Sequence, residues 1–185
     1  MKFNDHRKLE GFHSFLSPSN YHWVGYSREK LRTVYLNQLA KERGTKLHAF
    51  ARDAILYGQK LSNSKKALNR FVNDAIGYRM TPEQVLYYSP NCFGTCDAIS
   101  YRDGILRIHD LKTGETKASF IQLQVYAALF FLEYQEYSLD DTEVELRIYQ
   151  GDEVIVDIPE KEDICHIMDC IKIFDLEIEK LKREV

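Results

Sequence analysis

An aspartate, a second aspartate with a lysine two residues on, and a glutamine with a tyrosine four residues on occur in order between residues 94 and 126. The stretch reads GTCDAISYRDGILRIHDLKTGETKASFIQLQVY, and the groups are Asp97, Asp110, Lys112, Gln122 and Tyr126. Carboxylates are the ligands that a hard cation such as Mg²⁺ or Mn²⁺ prefers, with waters and substrate phosphate completing its shell. An ion so held lowers the pKa of a bound water and neutralises charge building on phosphorus. A lysine beside it orients the attacking water or stabilises the phosphate. The backbone carbonyl of Leu111, between Asp110 and Lys112, is a further oxygen ligand. The chemistry that would use this set is hydrolysis of a phosphodiester bond.

A hairpin and a helix must position these groups. Residues 93–101 are rich in β-compatible types, Arg102-Asp103-Gly104 is a turn sequence, and 105–112 predicts a second strand. Alternation along that strand puts Leu106, Ile108, Asp110 and Lys112 on one face, two apolar residues followed by an acid and a base. Thr113-Gly114 ends it. A strongly apolar helix is expected from about 118 to 137, and on it Gln122 and Tyr126 share a face at i, i+4. A glutamine inside such a helix needs partners for its amide, either in the core or at a bound phosphate or water.

The conjunction of Gly-x-x-Asp, a short hairpin, Asp-x-Lys and Gln-x-x-x-Tyr resembles the PD-(D/E)XK nuclease superfamily, and more closely its RecB-type exonuclease branch. Cys96 stands where the superfamily name has proline; the branch uses Gly-x-x-Asp there. Upstream, Gly44-Thr45-Lys46-Leu47-His48 is similar to the branch's first motif, in which the histidine joins the two acids at the metal. The resemblance therefore implies His48, Asp97, Asp110 and the Leu111 carbonyl as ligands of Mg²⁺ or Mn²⁺, with Lys112, Gln122 and Tyr126 completing the catalytic set. It implies no iron–sulfur cluster, because the cysteine spacing of cluster-bearing relatives is missing. DNA, with single-stranded ends among its forms, is the implied substrate. The implied setting is the cytoplasm of a bacterium or a phage-infected cell, as for stand-alone exonucleases encoded by phages and bacteria. A structure-specific or nicking endonuclease with the same site is the alternative, and a non-catalytic module gripping DNA or a protein is the other. The intact Asp97, Asp110 and Lys112 argue against the latter.

Composition narrows the remainder. The chain has 185 residues, 44% of them apolar, and a formal net charge of −3, so any contact with nucleic acid is local rather than global. No apolar run approaches the roughly 20 residues that span a bilayer, and the opening MKFNDHRKLEG has no apolar signal core. Cys92, Cys96, Cys165 and Cys170 read as reduced, mostly buried small apolar residues; a zinc site from Cys165, His166 and Cys170 has no common spacing.

From the amino end, Trp23 and Tyr26 either staple the next helix onto the core or stack unpaired bases as DNA contacts. Ser27 can cap a helix bearing Leu31, Val34, Tyr35 and Leu39; Gly44 is expected to end it and Thr45 to cap another, striped with Leu47, Phe50, Ala51, Ala54 and Ile55. Residues 64–76 form an amphipathic run whose Lys65, Lys66 and Arg70 face solvent or phosphates. Thr81-Pro82-Glu83 reads as a break, with Glu83 a solvated turn residue or an outer acid, before a strand at 84–88. Strands at 143–149 and 153–158 and a closing helix at 160–184 follow, the helix with Ile164, Ile167, Met168, Ile171, Phe174, Leu176 and Ile178 on a broad face. These elements predict one α/β domain over 1–185, a central mixed sheet of about five strands flanked by α-helices, as in restriction-endonuclease-like folds.

Overall fold

Asp103 and Gly104 reverse the chain because both adopt positive φ, 53° and 76°, as a type I′ hairpin turn demands. Glycine does so without steric cost, and aspartate is among the few side chains that tolerate it. In the computed structural model, which describes residues 4–114 and 116–184, this turn joins β2 (Cys92–Arg102) to β3 (Ile105–Lys112). Met1, Lys2 and Phe3 of the polar lead-in lie outside the described residues. β1 (Thr81–Ser89) pairs antiparallel with β2, β4 (Glu143–Gln150) runs parallel to β3, and β5 (Glu153–Asp157) is antiparallel to β4. The result is a mixed five-stranded sheet in the order β1-β2-β3-β4-β5. A parallel neighbour requires a long crossover, and the one between β3 and β4 carries α3 (Ile121–Glu133).

The chain divides into two compact units, Met1–Arg43 and Gly44–Val185, and the sheet belongs to the second. The first unit holds two 3₁₀ segments, Arg7–Leu9 and Pro18–Gly25, and the start of α1 (Arg28–Leu56). Ser27 caps α1 as expected, its Oγ accepting the Lys30 N–H at 3.2 Å. Trp23 donates its indole N–H to the Ser17 carbonyl at 3.1 Å, and the Lys30 ammonium lies 4.7 Å from the centre of the Tyr26 ring. Leu31, Tyr35 and Leu39 of the expected stripe are exposed.

The second unit buries one layer on each face of the sheet. Leu106, Ile108, Leu146 and Ile148 pack with Leu123 and Ala127 of α3 and with Ile164 and Ile171 of α4 (Lys161–Glu184). Ala98, Leu111 and Tyr149 pack on the other face with Phe71, Val72 and Ala75 of α2 (Ala67–Gly77) and Ala51, Ala54 and Ile55 of α1. The expected break at Gly44 does not occur, since α1 runs through it. A lone helical glycine costs only about 1 kcal/mol, and a Cβ here would stand 2.9 Å from Thr113 Oγ1. Gly44 therefore serves close approach rather than helix termination. β1 begins at Thr81 rather than 84, because an edge strand tolerates Pro82. Helix α3 is shorter than expected, ending where Tyr134 leaves helical geometry at φ −105°, ψ 72°. Phe174, Leu176 and Ile178 of α4 are exposed.

One polar network lies within the α2-side layer. Tyr149 donates its hydroxyl proton to Asp74 Oδ2 at 2.8 Å, so its oxygen can only accept from His109 Nδ1, 3.1 Å away. That assigns the imidazole proton to Nδ1 and leaves Nε2 buried without a partner. Burial, aided by the Arg147 and Arg107 charges, lowers the His109 pKa to about 3. The unfolded chain takes up a proton near pH 6.5 while the folded one does not, so this group's stabilisation is present above that pH and lost as pH falls toward 3. We expect the urea-midpoint difference between wild type and His109→Asn to shrink steadily from pH 7 to pH 4; a constant difference would show that His109 titrates normally in the fold.

Candidate metal centre

Pairing between β2 and β3 stops at Ala98↔His109, and the site begins there. Beyond that pair the Leu111 N–H turns to the Asp97 side chain, donating to Oδ2 at 2.8 Å. The other oxygen of Asp97, Oδ1, lies 3.3 Å from His48 Nδ1 on α1. Across the β1–β2 ladder, Pro82↔Ala98 and Gln84↔Cys96 flank the position where Glu83 faces Asp97. Glu83 has φ 52°, a left-handed backbone that costs a non-glycine residue about 1–3 kcal/mol and concentrates at functional sites. One ligand atom from each of His48, Glu83 and Asp97 lies within 4.8 Å of the others, and all three residues are half-buried. This His/Glu/Asp group is able to chelate a metal ion. It is the only such group of three among the described residues.

Two of the sequence-predicted groups are thus brought together, His48 and Asp97, and Glu83 joins them. Expected as a solvated turn residue or an outer acid, Glu83 instead sits in β1, and only the strand register reveals its partner. Asp110 stands beside this trio rather than within it. It is 4% exposed, and its Oδ1 accepts from Lys112 Nζ at 3.1 Å. Asp110 Oδ2 lies 3.0 Å from the same ammonium but off hydrogen-bond geometry, so it is buried and lacks a hydrogen-bond partner. Leu111 is buried, and its N–H is engaged with Asp97. Trp23 and Tyr26 belong to the first unit.

Lys112, Gln122 and Tyr126 form a continuous chain of hydrogen bonds. Lys112 Nζ donates to Gln122 Oε1 at 2.8 Å, Gln122 Nε2 donates to the Tyr126 hydroxyl at 3.3 Å, and Tyr126 donates to the Thr95 carbonyl at 2.6 Å. The i, i+4 spacing on α3 makes the middle link, and the last ties α3 back to β2. Gly94 permits this, because a Cβ there would meet Tyr126 Cε1 at 3.0 Å. The glycine of the Gly-x-x-Asp pattern thus has a steric meaning, which is room for the tyrosine ring on the strand that carries the acid.

Proton affinities at the cluster are raised together. The Asp97 carboxylate holds His48 above its ordinary value against the opposing effect of burial, and Glu83 and Asp110 add to it. Burial raises Glu83 and Asp110, each further raised by the Asp97 charge and partly offset by nearby cations, His48 and Arg52 for Glu83 and Lys112 for Asp110. Burial likewise raises the Tyr126 hydroxyl. Acids crowded in this way need either protons or a cation. The buried Asp110 Oδ2, which accepts no hydrogen bond, and the oxygen-rich donor set fit a hard divalent ion.

All four cysteines are free, with Cys96 buried, Cys92 and Cys170 half-buried and Cys165 exposed, so the expectation of mostly buried thiols holds only in part. Cys170 Sγ is 3.6 Å from His166 Nε2, one helical turn away, and no zinc trio with Cys165 forms among the described residues. No helix of the described residues is long and apolar enough to cross a membrane. Comparison of the chain with protein-family models, with curated proteins and with solved structures gives no match.

Ligation requires neutral His48 and ionised carboxyls. His48, Glu83 and Asp110 each hold a proton more tightly than usual, so Mn²⁺ affinity should climb from pH 5.5 to pH 8 with proton release on binding. Without metal the sign reverses: stabilisation from protonated His48, Glu83 and Asp110 is present below their ordinary pKa values and lost as pH rises through the raised ones. Calorimetric titration with Mn²⁺ at both pH values checks this, and Glu83→Gln should lower the affinity about tenfold. A variant that binds Mn²⁺ like wild type would remove Glu83 from the ligand set.

Proposed function

We propose that this chain is a Mg²⁺- or Mn²⁺-dependent DNA nuclease of the PD-(D/E)XK type, related to the RecB-type exonucleases and acting on DNA ends. The observation that carries the reading is the convergence of His48, Glu83 and Asp97 within 4.8 Å at the end of the strand pair that also bears Asp110 and Lys112. A mixed five-stranded sheet flanked by helices is compatible with that fold type.

His48, Glu83, Asp97 and Asp110 would hold the ion, with the Leu111 carbonyl as a further oxygen. A divalent ion bound there supplies Lewis acidity at phosphorus and a water of lowered pKa. Lys112 reaches this cluster through Asp110, and Gln122 holds it by a second hydrogen bond, so its ammonium is held ready for a phosphate oxygen or the attacking water. Gln122 is in turn fixed by Tyr126, whose hydroxyl is anchored on the Thr95 carbonyl. Removing Gln122 would free the lysine, lowering turnover more than stability.

Digestion of end-labelled linear DNA and of covalently closed circles, each with Mg²⁺, Mn²⁺, Ca²⁺ or excess chelator, tests the proposal. Linear DNA should be lost progressively with Mg²⁺ or Mn²⁺, circles should survive, and Ca²⁺ should support little turnover. Asp110→Asn and Lys112→Ala should each abolish cleavage while the protein still folds. Full activity in chelator would overturn the metal-dependent reading. Prompt nicking of circles would replace exonuclease by endonuclease and leave the site assignment standing.

A further inference from the structure

The outer part of the β1–β2 hairpin carries large apolar side chains that stand open to solvent. Phe93 is 62% exposed, Val85 47% and Tyr87 46%. Tyr87 and Phe93 stand directly opposite one another in the ladder, their ring centres 6.3 Å apart and their planes 31° from parallel. The side of the sheet they occupy follows from alternation. Cys92 and Cys96 pack into the layer formed by α3 and α4, and Gly94 lies under the Tyr126 ring of α3. Phe93 and Thr95 therefore face the other way, with Val85 and Tyr87 beside them, and Asp97, where the alternation shifts before Ala98, meets His48 of α1, the helix packed on that side. The exposed strip runs along β2 to the acid of the metal centre. Phe93 and Asp97 are four residue steps apart along the strand, about 13 Å.

We propose that Tyr87 and Phe93, with Val85 beside them, form the stacking subsite for an unpaired DNA strand whose end reaches the metal centre. The inference rests on the nuclease reading above. At a rise of about 3.4 Å per stacked nucleotide, the rings meet bases about four nucleotides from the reacting phosphate. Aromatic faces bind any base, and each stacked base contributes about 1–3 kcal/mol by alanine substitution. That suits an enzyme that must hold a strand without reading its sequence.

Two other occupants fit less well. A cross-strand aromatic pair stabilises a hairpin by about 0.2–1 kcal/mol when the rings cover each other, yet these residues remain close to half or more open to solvent. A partner's β-strand added to the β1 edge needs that edge's free N–H groups. The Tyr87 N–H is already taken, donating to Glu133 Oε2 at 2.8 Å. With a net charge of −3 the chain offers no general attraction for a polyanion, so strand binding here is carried by stacking and its salt dependence is shallow.

Fluorescence anisotropy of a labelled oligothymidylate, with the full chain and Ca²⁺, tests the subsite. Tyr87→Ala and Phe93→Ala should each weaken binding about tenfold. Phe93→Trp should retain affinity, while Phe93→Leu, apolar but without a π face, should lose as much as alanine. Mn²⁺ affinity should be unchanged in all four variants. If the alanine variants unfold, the Leu and Trp variants, which keep an apolar side chain, decide the matter. Wild-type affinity in Phe93→Leu would overturn the stacking subsite while leaving the nuclease reading intact, provided wild type cleaves DNA. Ring-dependent binding without any DNA hydrolysis would support the subsite and defeat the nuclease reading. A wild-type protein that neither binds nor cleaves would defeat both.

Discussion

The carboxylate of Asp97 is divided between two tasks, and the rest of the site depends on that division. One oxygen accepts the Leu111 N–H at 2.8 Å, standing in for a ladder partner where the β2–β3 pairing has stopped. A hydrogen bond to a charged group contributes about 1.5–3 kcal/mol, so the opening of the ladder is compensated by the acid that uses the opening. The other oxygen faces His48 at 3.3 Å. One side chain thereby joins the strand pair to α1 and sets the place where Glu83 must arrive from β1.

The two layers of the sheet contribute differently to this arrangement. On the α3 face, Leu106 and Ile108 are sealed in the core, and the same alternation carries Asp110 to the edge of that core at 4% exposure. A carboxylate so placed is uncomfortable: burial and the neighbouring Asp97 raise its proton affinity, and Lys112 only partly offsets them. The lysine is itself restrained by Gln122, so its charge is fixed in direction rather than left to sample solvent. On the α2 face, the Ala51, Ala54 and Ile55 stripe of α1 is buried, and that packing holds His48 in register with Asp97. The residues able to chelate a cation are thus held by apolar packing on both sides, and a bound cation would relieve the crowding of their carboxyl groups.

Much of this is legible in the order of residues along the chain. The Asp103-Gly104 reversal, the span of β3, the Ser27 cap, the Gln122/Tyr126 pair and a mixed sheet between helices all follow from rules acting over a few residues, namely turn chemistry, alternation, capping and helical spacing. The same rules misread Gly44 and the sequence around Pro82. Gly44 satisfies the local signature of a helix end, and what the glycine answers to is the close approach of Thr113, distant along the chain. Pro82 satisfies the signature of a break, and what permits it in a strand is that β1 lies at the sheet's edge.

The types of the candidate metal-binding groups, and their order along the chain, are determined by the sequence alone. Which acids meet which histidine is decided by the tertiary structure. Glu83 carries no local mark of a ligand, since its place opposite Asp97 comes from the β1–β2 register and a backbone angle of φ 52°. Asp110 carries every mark of one, yet lies beside the trio, drawn toward Lys112. Convergence of side chains is a property of how strands pair and helices pack. Short-range propensities act within a few residues and therefore supply the groups without their meeting point.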